Sequence, residues 1–230
     1  SVGVLYLDYR NPTLPILLDK GNGILGRNSD DSLVPPTLDG LVVFSMGFIW
    51  PPEKAVMIED DLALQDVQQI LRPGIIAWPA LDTLIIDSPP SSSGVVLALL
   101  KAPSLTGVII VSQPSSLSRA ALLRTLDLLS ETQVPVHGLV SNQGTDEEGR
   151  RRYDLDDQAL MDIAAQYNLP WCFCIPHTRA LDTHFDGLAF SILRTKPVLL
   201  AKPKEPKGAA WDKLITLAQN LTRPTPSENR

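Results

Sequence analysis

Cysteine is scarce in this 230-residue chain, which contains only Cys172 and Cys174. Two cysteines argue against a disulfide framework and favour a reducing, cytoplasmic compartment. They lie two residues apart within an apolar segment, so in a strand both side chains point to the same face. We interpret them as small hydrophobic residues, because buried free cysteines usually act that way. Metal binding by the C-x-C pair is the alternative.

Long hydrophobic runs are also missing. No stretch approaches the roughly 20 apolar residues that a membrane-spanning helix needs, and no signal peptide is visible. Positive charge is in deficit, with 20 Lys and Arg against 26 Asp and Glu and a net charge of −6. This balance argues against a general nucleic-acid-binding surface. The three arginines at residues 150–152 are flanked by acidic residues and are interpreted as a solvated loop.

Short apolar runs alternate with amphipathic segments along the rest of the chain. At 44% hydrophobic residues, the chain is long enough for one large domain with a sizeable core. The pattern predicts an α/β fold with a doubly wound, mostly parallel sheet. We expect a single domain over residues 1–222 and a disordered tail over 223–230. Apolar runs predict strands at 2–7, 41–45, 84–86, 107–111, 135–140 and 171–176. Helices are predicted at 62–71, at 95–100 after a hydroxyl-rich N-cap segment, and at 211–221. A further helix begins at 114–116 with Leu122, Leu126 and Leu129 on one face, and another follows residue 154 with Leu160, Ile163, Ala164 and Tyr167 on one face.

The most informative segment is residues 81–90. Its Leu-Ile-Ile run at 84–86 predicts a strand buried on both faces, and that strand ends at Asp87. Pro89 and Pro90 then prevent further strand pairing. Ligands bind at this edge of open α/β sheets, where a carboxylate commonly serves a nucleotide-bound Mg²⁺. The alternative is an aspartate that caps the following turn.

Polar residues end three of the predicted strands. Asp8 follows the first, Asp87 follows the third, and Asn142 follows the fifth. The carboxyl ends of parallel strands meet at one edge of a sheet, so we expect these three side chains along one rim. The histidines show no metal-ligand spacing and are interpreted as structural or surface residues.

Several of these segments, in this order, resemble the Mrp/ApbC family of P-loop ATPases, a branch of the MinD/ParA-like deviant Walker proteins. The likeness covers roughly residues 2–199. It is most specific at the Asp-Ser-Pro-Pro of 87–90 and the Ser-Met-Gly-Phe of 45–48. The first is similar to the Walker B and switch II segment, and residues 2–15 are similar to switch I. Further matches are the Val-Ser-Asn at 140–142 and the Ile-Pro at 175–176.

The resemblance implies a P-loop NTPase fold and slow ATP hydrolysis by a homodimer that carries iron–sulfur clusters to apo acceptor proteins. Carried over, Asp87 would hold Mg²⁺ through water and Asp8 would position the attacking water. Asn142 would read the adenine edge, Pro176 would pack near it, and Pro89 would line the nucleotide site. ATP and Mg²⁺ are therefore the implied cofactors.

The chain also departs from the family pattern. It contains neither G-x-x-x-x-G-K-[ST] nor the deviant Walker A form, which in the family precedes the Asp8 strand. We expect that N-terminal sequence is missing, and that this chain alone binds ATP poorly; a true pseudo-enzyme is the alternative. Tyr6 replaces the first switch I aspartate, and the Ser-Ser-Ser-Gly at 91–94 drops another carboxylate.

The family's cluster-bridging C-x-x-C, expected after Asn142, is absent. Residues 144–149 read Gly-Thr-Asp-Glu-Glu-Gly and offer no thiolate. Cluster carriage by the usual ligands is therefore not expected from this chain. Two alternatives stay open: a MinD/ParA-like ATP-gated regulator or scaffold, and a degenerate, non-catalytic interaction subunit.

Overall fold

A computed structural model of the chain describes residues 1–8, 12–19, 24–49, 60–89, 93–179 and 182–201. The predicted helix at 211–221, the expected tail and Pro90 lie outside these residues. No helix in the described ranges is long and apolar enough to cross a membrane. The strands are β1 (Val2–Tyr6), β2 (Gly26–Arg27), β3 (Leu33–Val34), β4 (Thr37–Leu38), β5 (Leu41–Ser45), β6 (Thr83–Asp87), β7 (Val108–Ser112), β8 (Val136–Asn142) and β9 (Cys172–Ile175). The helices are α1 (Leu14–Leu17), α2 (Asp60–Ile70), α3 (Gly94–Leu100), α4 (Ser116–Thr132), α5 (Asp157–Gln166) and α6 (Asp182–Arg194), and Met46–Phe48 forms a 3₁₀ turn.

The described strands form two mainly parallel sheets and one short hairpin. The first sheet has the order β4-β5-β1-β6, in which only β4 runs antiparallel to its neighbour. The second has the order β7-β8-β9 and is parallel throughout. β2 and β3 form the hairpin. The α/β architecture with mostly parallel strands, predicted from the alternating pattern, is confirmed.

Helix α3 connects the two sheets and contributes to both hydrophobic cores. Val95 and Leu99 pack in the core of the first sheet, while Leu100 packs in the core of the second. The predicted inner face of α4 is confirmed, because Leu122, Leu126 and Leu129 are buried in the second core.

Short polar side chains begin three of the helices. Ser93 accepts a hydrogen bond from the backbone N–H of Val96 at the start of α3, as expected from its hydroxyl-rich segment. Ser115 caps α4 and Asp156 caps α5 in the same way. Each cap satisfies one N–H that has no partner within its helix, which fixes where the helix begins.

The prediction that the third strand is buried on both faces is wrong for the described structure. β6 is an outer strand of its sheet, its exposure alternates along the strand, and Ile85 is 53% exposed. An apolar run indicates that burial of its side chains is favourable. It does not reveal whether other strands or helices lie beside it to cover them. β7 is also an outer strand, and its Val111 is 61% exposed. Both sheets therefore end in apolar parallel strands that pair on one edge only within the described residues.

One close contact makes the second sheet sensitive to a single methyl group. A Cβ on Gly138 of β8 would lie 2.3 Å from the indole of Trp171, whose Nε1–H donates to Thr195 Oγ1 at 3.0 Å. Since the indole cannot move without losing that bond, we expect Gly138→Ala to lower the free energy of unfolding by about 1–3 kcal/mol. Urea denaturation measures the change.

Gly94→Ala is the matched control for this substitution. A Cβ on Gly94 meets no atom within 4 Å, and alanine is the better helix former at this position in α3. We expect this variant to be at least as stable as the unchanged protein. Equal stability of Gly138→Ala would show that the indole is free to shift.

Candidate functional site

Two carboxylates lie side by side at the carboxyl ends of β1 and β6. The parallel register places Tyr6 opposite Asp87, and the backbone N–H of Leu7 donates to the Asp87 carbonyl at 2.9 Å. Asp8 is the next residue, so the chain leaves β1 directly beside Asp87. Asp8 is half-buried, and Asp87 is the more exposed of the two although its carboxylate is still partly shielded from water. Two of the three residues predicted to share a rim are therefore neighbours.

The surroundings of Asp87, including the neighbouring Asp8, shift its pKa. Partial burial, and next to it the negative charge of Asp8, raise the pKa of Asp87 above its ordinary value. A neighbouring like charge disfavours ionisation, and a cation placed between the carboxylates would remove that repulsion. Mg²⁺ is commonly held by one or two carboxylates, with water and substrate phosphates completing its shell. The acidic pair therefore fits Mg²⁺.

The turn after β5 holds the segment that follows Asp8. Ser45 Oγ accepts from the backbone N–H of Gly47 at 3.1 Å and starts the 3₁₀ turn. A Cβ on Gly47 would lie 2.7 Å from Pro15, so only glycine fits against that loop without displacement. The hydroxyls of Tyr6 and Thr13 are 3.0 Å apart and hydrogen-bonded. Tyr6, noted from sequence only as a lost carboxylate, therefore also helps to hold this loop.

The residues predicted to contact a nucleobase form a second neighbouring pair. Asn142 at the end of β8 is paired with Ile175 at the end of β9, and Pro176 follows directly. The backbone N–H of Gln143 donates to the Ile175 carbonyl at 2.6 Å, which extends the register past Asn142. Asn142 and Pro176 are both half-buried.

A cavity of about 430 Å³ lies beside these strand ends, between the loop after β8 and the loop after β9. Glu147 joins the two loops, because its Oε1 accepts from Thr178 Oγ1 and from the backbone N–H of Arg179, both at 3.1 Å. Sequence reasoning missed this contact, which links residues that are more than 30 positions apart. Arg179 and His177 also line the cavity.

Charge pairs within the loop after β8 account for one of its three arginines. Arg150 donates to Asp146 at 2.7 Å and to Glu148 at 2.8 Å. The hydrogen bond from Arg150 is the main reason why the pKa of Asp146 lies below its usual value. The loop thus offers carboxylates that already have a cationic partner, at the position where the resemblance led us to look for thiolates.

The structure brings the predicted site residues together as two pairs. One is Asp8 with Asp87, and the other is Asn142 with Pro176; Pro89 follows β6 and is half-buried. The common rim for both pairs stays a prediction. No group of three or more His, Cys, Asp or Glu side chains in the described ranges could hold a metal ion by itself. A cation at the acidic pair would therefore complete its shell with water or with a ligand.

Comparison with solved structures identifies a close match in fold. One match is a nucleotide-binding protein from Archaeoglobus fulgidus, solved in complex with ADP. The TM-score is 0.61 at 23% sequence identity, and the match covers 86% of this chain and 80% of that one. At this identity the likeness shows a shared fold.

Curated relatives from distant organisms match most of the chain. An iron-sulfur cluster carrier protein of Rickettsia felis is 27% identical over 76% of this chain and 51% of its own length. The iron-sulfur cluster transfer protein NUBPL of Dictyostelium discoideum is 29% identical over 62% of this chain and 44% of its own. The chloroplastic assembly factor HCF101 of Arabidopsis thaliana is 26% identical, with shares of 81% and 35%. The chain spans about half the length of the first two of these relatives.

A family model gives the broadest match. The model for ParA, described as NUBPL iron-transfer P-loop NTPase, matches residues 1–216. This range includes both pairs of predicted site residues as well as Pro89. The resemblance to Mrp/ApbC-type proteins is thereby confirmed, and the chain belongs to the ParA family of NUBPL-type iron-transfer P-loop NTPases.

Proposed function

We propose that this protein is an iron–sulfur cluster carrier whose action depends on binding and hydrolysing ATP with Mg²⁺. The observation that carries the proposal is the acidic pair, Asp8 and Asp87, at the ends of two paired parallel strands. The relatives named as cluster carriers and the ADP complex of the structural neighbour support it. The compartment we propose is the cytoplasm.

Each predicted residue has a role that suits its position. Asp87 would hold the water shell of Mg²⁺, and Asp8 would orient the water that attacks the terminal phosphate. Asn142 would read the adenine edge, and Pro176 and Pro89 would limit the space around the nucleotide. Bound Mg²⁺ would supply charge stabilisation to the phosphoryl oxygens.

No phosphate-binding motif of the Walker A type occurs in these 230 residues. We propose that a Walker A strand pairs with the outer edges of β6 and β7, which pair with no strand in the described residues, and joins the two sheets. The exposure of Ile85 and Val111 on these strands supports this, because a parallel strand normally has neighbours on both edges and cover on both faces. Helix α3, which belongs to both cores, already connects the two edges.

The cluster is the cargo, and its acceptors would be apo iron–sulfur proteins. Since the usual C-x-x-C is absent, we propose that a partner supplies ligands for the cluster. We further propose a homodimer, because helices α1 and α4, which follow β1 and β7, expose large apolar side chains. Ile16, Leu17 and Leu117 are 66%, 76% and 82% exposed. A second copy covering them would remove apolar surface from water.

The acidic pair can be tested in this chain without a nucleotide. Asp8→Asn removes the like charge, so we expect the pKa of Asp87 to fall towards its ordinary value. Carboxyl-carbon NMR during a pH titration measures it. In the unchanged protein, Mg²⁺ affinity should decline with falling pH earlier than an ordinary aspartate would allow, because the proton competes at a raised pKa. An unaltered Asp87 titration in the variant would show that the carboxylates do not interact.

Asp87 should also control turnover in a form of the protein that has a Walker A loop. Asp87→Asn weakens the hold on the metal shell, and we expect ATP hydrolysis to drop about tenfold or more. A coupled phosphate-release assay measures the rate. Asp82→Asn is the matched control, because Asp82 is 84% exposed beyond the opposite end of β6 and should leave the rate unchanged. Equal rates for the two variants would contradict the assignment of Asp87.

Cluster carriage is tested by anaerobic reconstitution of that longer form with iron and sulfide. We expect a bound cluster that is passed to an apo acceptor, with transfer changed by MgATP, and a dimeric mass by light scattering. ATP hydrolysis without any cluster would favour an ATP-gated regulator or scaffold. Neither cluster nor hydrolysis would favour a non-catalytic interaction subunit.

A further inference from the structure

The two cysteines form a cluster that the proposed function does not use. Cys172 and Cys174 lie on β9 with their side chains on one face, and neither forms a disulfide. Both are partly accessible to solvent. Phe173, between them, points to the other face, where a Cβ on Gly187 of α6 would lie 3.0 Å from its ring. The two thiols are therefore held together on the opposite face of an ordered strand.

The thiols interact with each other and with one carboxylate. The neighbouring thiol is the main reason why the pKa of Cys172 is raised and that of Cys174 is lowered. The negative charge of Asp157 acts in the raising direction on both pKa values, although the net shift of Cys174 is downward. Asp157 is fixed by a short hydrogen bond from Ser141 Oγ, and a Cβ on Gly144 would lie 2.2 Å from its Oδ1. Both thiols are half-buried, and Cys172 also packs against the core of the second sheet.

An internal disulfide does not suit this geometry. Residues two apart in an extended strand have Cα atoms about 6.6 Å apart and nearly parallel Cα–Cβ bonds. A disulfide needs Cβ atoms only about 3.5–4.5 Å apart. Closing it would bend β9 away from β8, to which Cys172 and Cys174 are paired through Leu139 and Ser141.

Tetrahedral zinc does not suit the described residues either. Structural zinc sites take four protein ligands and catalytic ones take three. No third histidine, cysteine or acidic side chain joins these thiols in a metal-binding group within the described part of the chain. The pair offers two soft ligands, which is the set that a two-coordinate ion needs.

We propose that Cys172 and Cys174 bind one monovalent soft metal ion, Cu(I) being the biological example, between two thiolates. This site goes beyond the proposed ATP and cluster chemistry and does not depend on it. Thiolates prefer Cu(I) among the first-row metals. Binding releases the two thiol protons, so two thiolates and one Cu(I) carry a net charge of −1.

The test is an anaerobic competition titration of the full chain with Cu(I) held by a chromophoric chelator. We expect one Cu(I) per chain, and X-ray absorption should show two sulfur neighbours and no nitrogen. Cys172→Ser and Cys174→Ser should each abolish competition with the chelator. Far-UV circular dichroism of both variants checks that the fold is kept, since serine is close to cysteine in size.

His177→Ala is the matched control, because His177 is an exposed metal-ligating side chain just beyond β9. It should bind Cu(I) as the unchanged chain does. Three outcomes would overturn the proposal: full binding by either folded serine variant, loss of binding in His177→Ala, or one Cu(I) shared by two chains. Reconstituted ATPase or cluster transfer is a separate readout, so failure here leaves the proposed function untouched.

Discussion

The parallel pairing of β1 with β6 is the constraint on which the candidate site depends. Side chains alternate along a strand, so a slip of one residue would turn each of them to the opposite face. The register that places Tyr6 opposite Asp87 therefore also places Asp8 beside Asp87. Partial burial is the larger cause of the raised pKa of Asp87, and the repulsion by Asp8 adds to it. A cation bound between the two carboxylates would remove their repulsion, and perturbed pKa values cluster at functional sites. The pair is therefore a candidate cation site.

Both sheets leave apolar side chains of their outer strands exposed in the described structure. Parallel strands are normally covered on both faces, yet Ile85 of β6 and Val111 of β7 remain exposed. β6 and β7 are the outer strands of their sheets, and helix α3 connects them along the chain. Completion by a strand that carries the phosphate loop would bury these side chains and bring phosphate ligands to the acidic pair. Folding and nucleotide binding would then depend on the same missing contacts.

Local patterns predicted most of the elements and failed where distant partners decide the outcome. The i, i+4, i+7 spacing of Leu122, Leu126 and Leu129 was enough to identify the buried face of α4. The exposure of Ile85 was not predictable in this way, since burial of an apolar run depends on which strands lie beside it. Nor was the contact of Glu147 with the loop after β9, because no short-range pattern records a partner more than 30 residues away. The acidic pair was predictable because it needs only two strand ends and parallel pairing.

Different strands of this fold supply hard and soft ligand atoms. β1 and β6 end in carboxylates, which suit Mg²⁺, whereas β9 carries thiols, which suit soft ions. Between these regions, the loop after β8 replaces the expected thiolates with Arg150 bound to Asp146. Arg150 is 72% exposed, so this ion pair contributes little stability by itself. Asp146 also accepts from the backbone N–H groups of Glu148 and Arg150, and a backbone bridge joins Thr145 to Arg151. A loop ordered by its own hydrogen bonds needs no metal to hold it. The thiols that suit a soft metal lie on β9, the strand paired with β8.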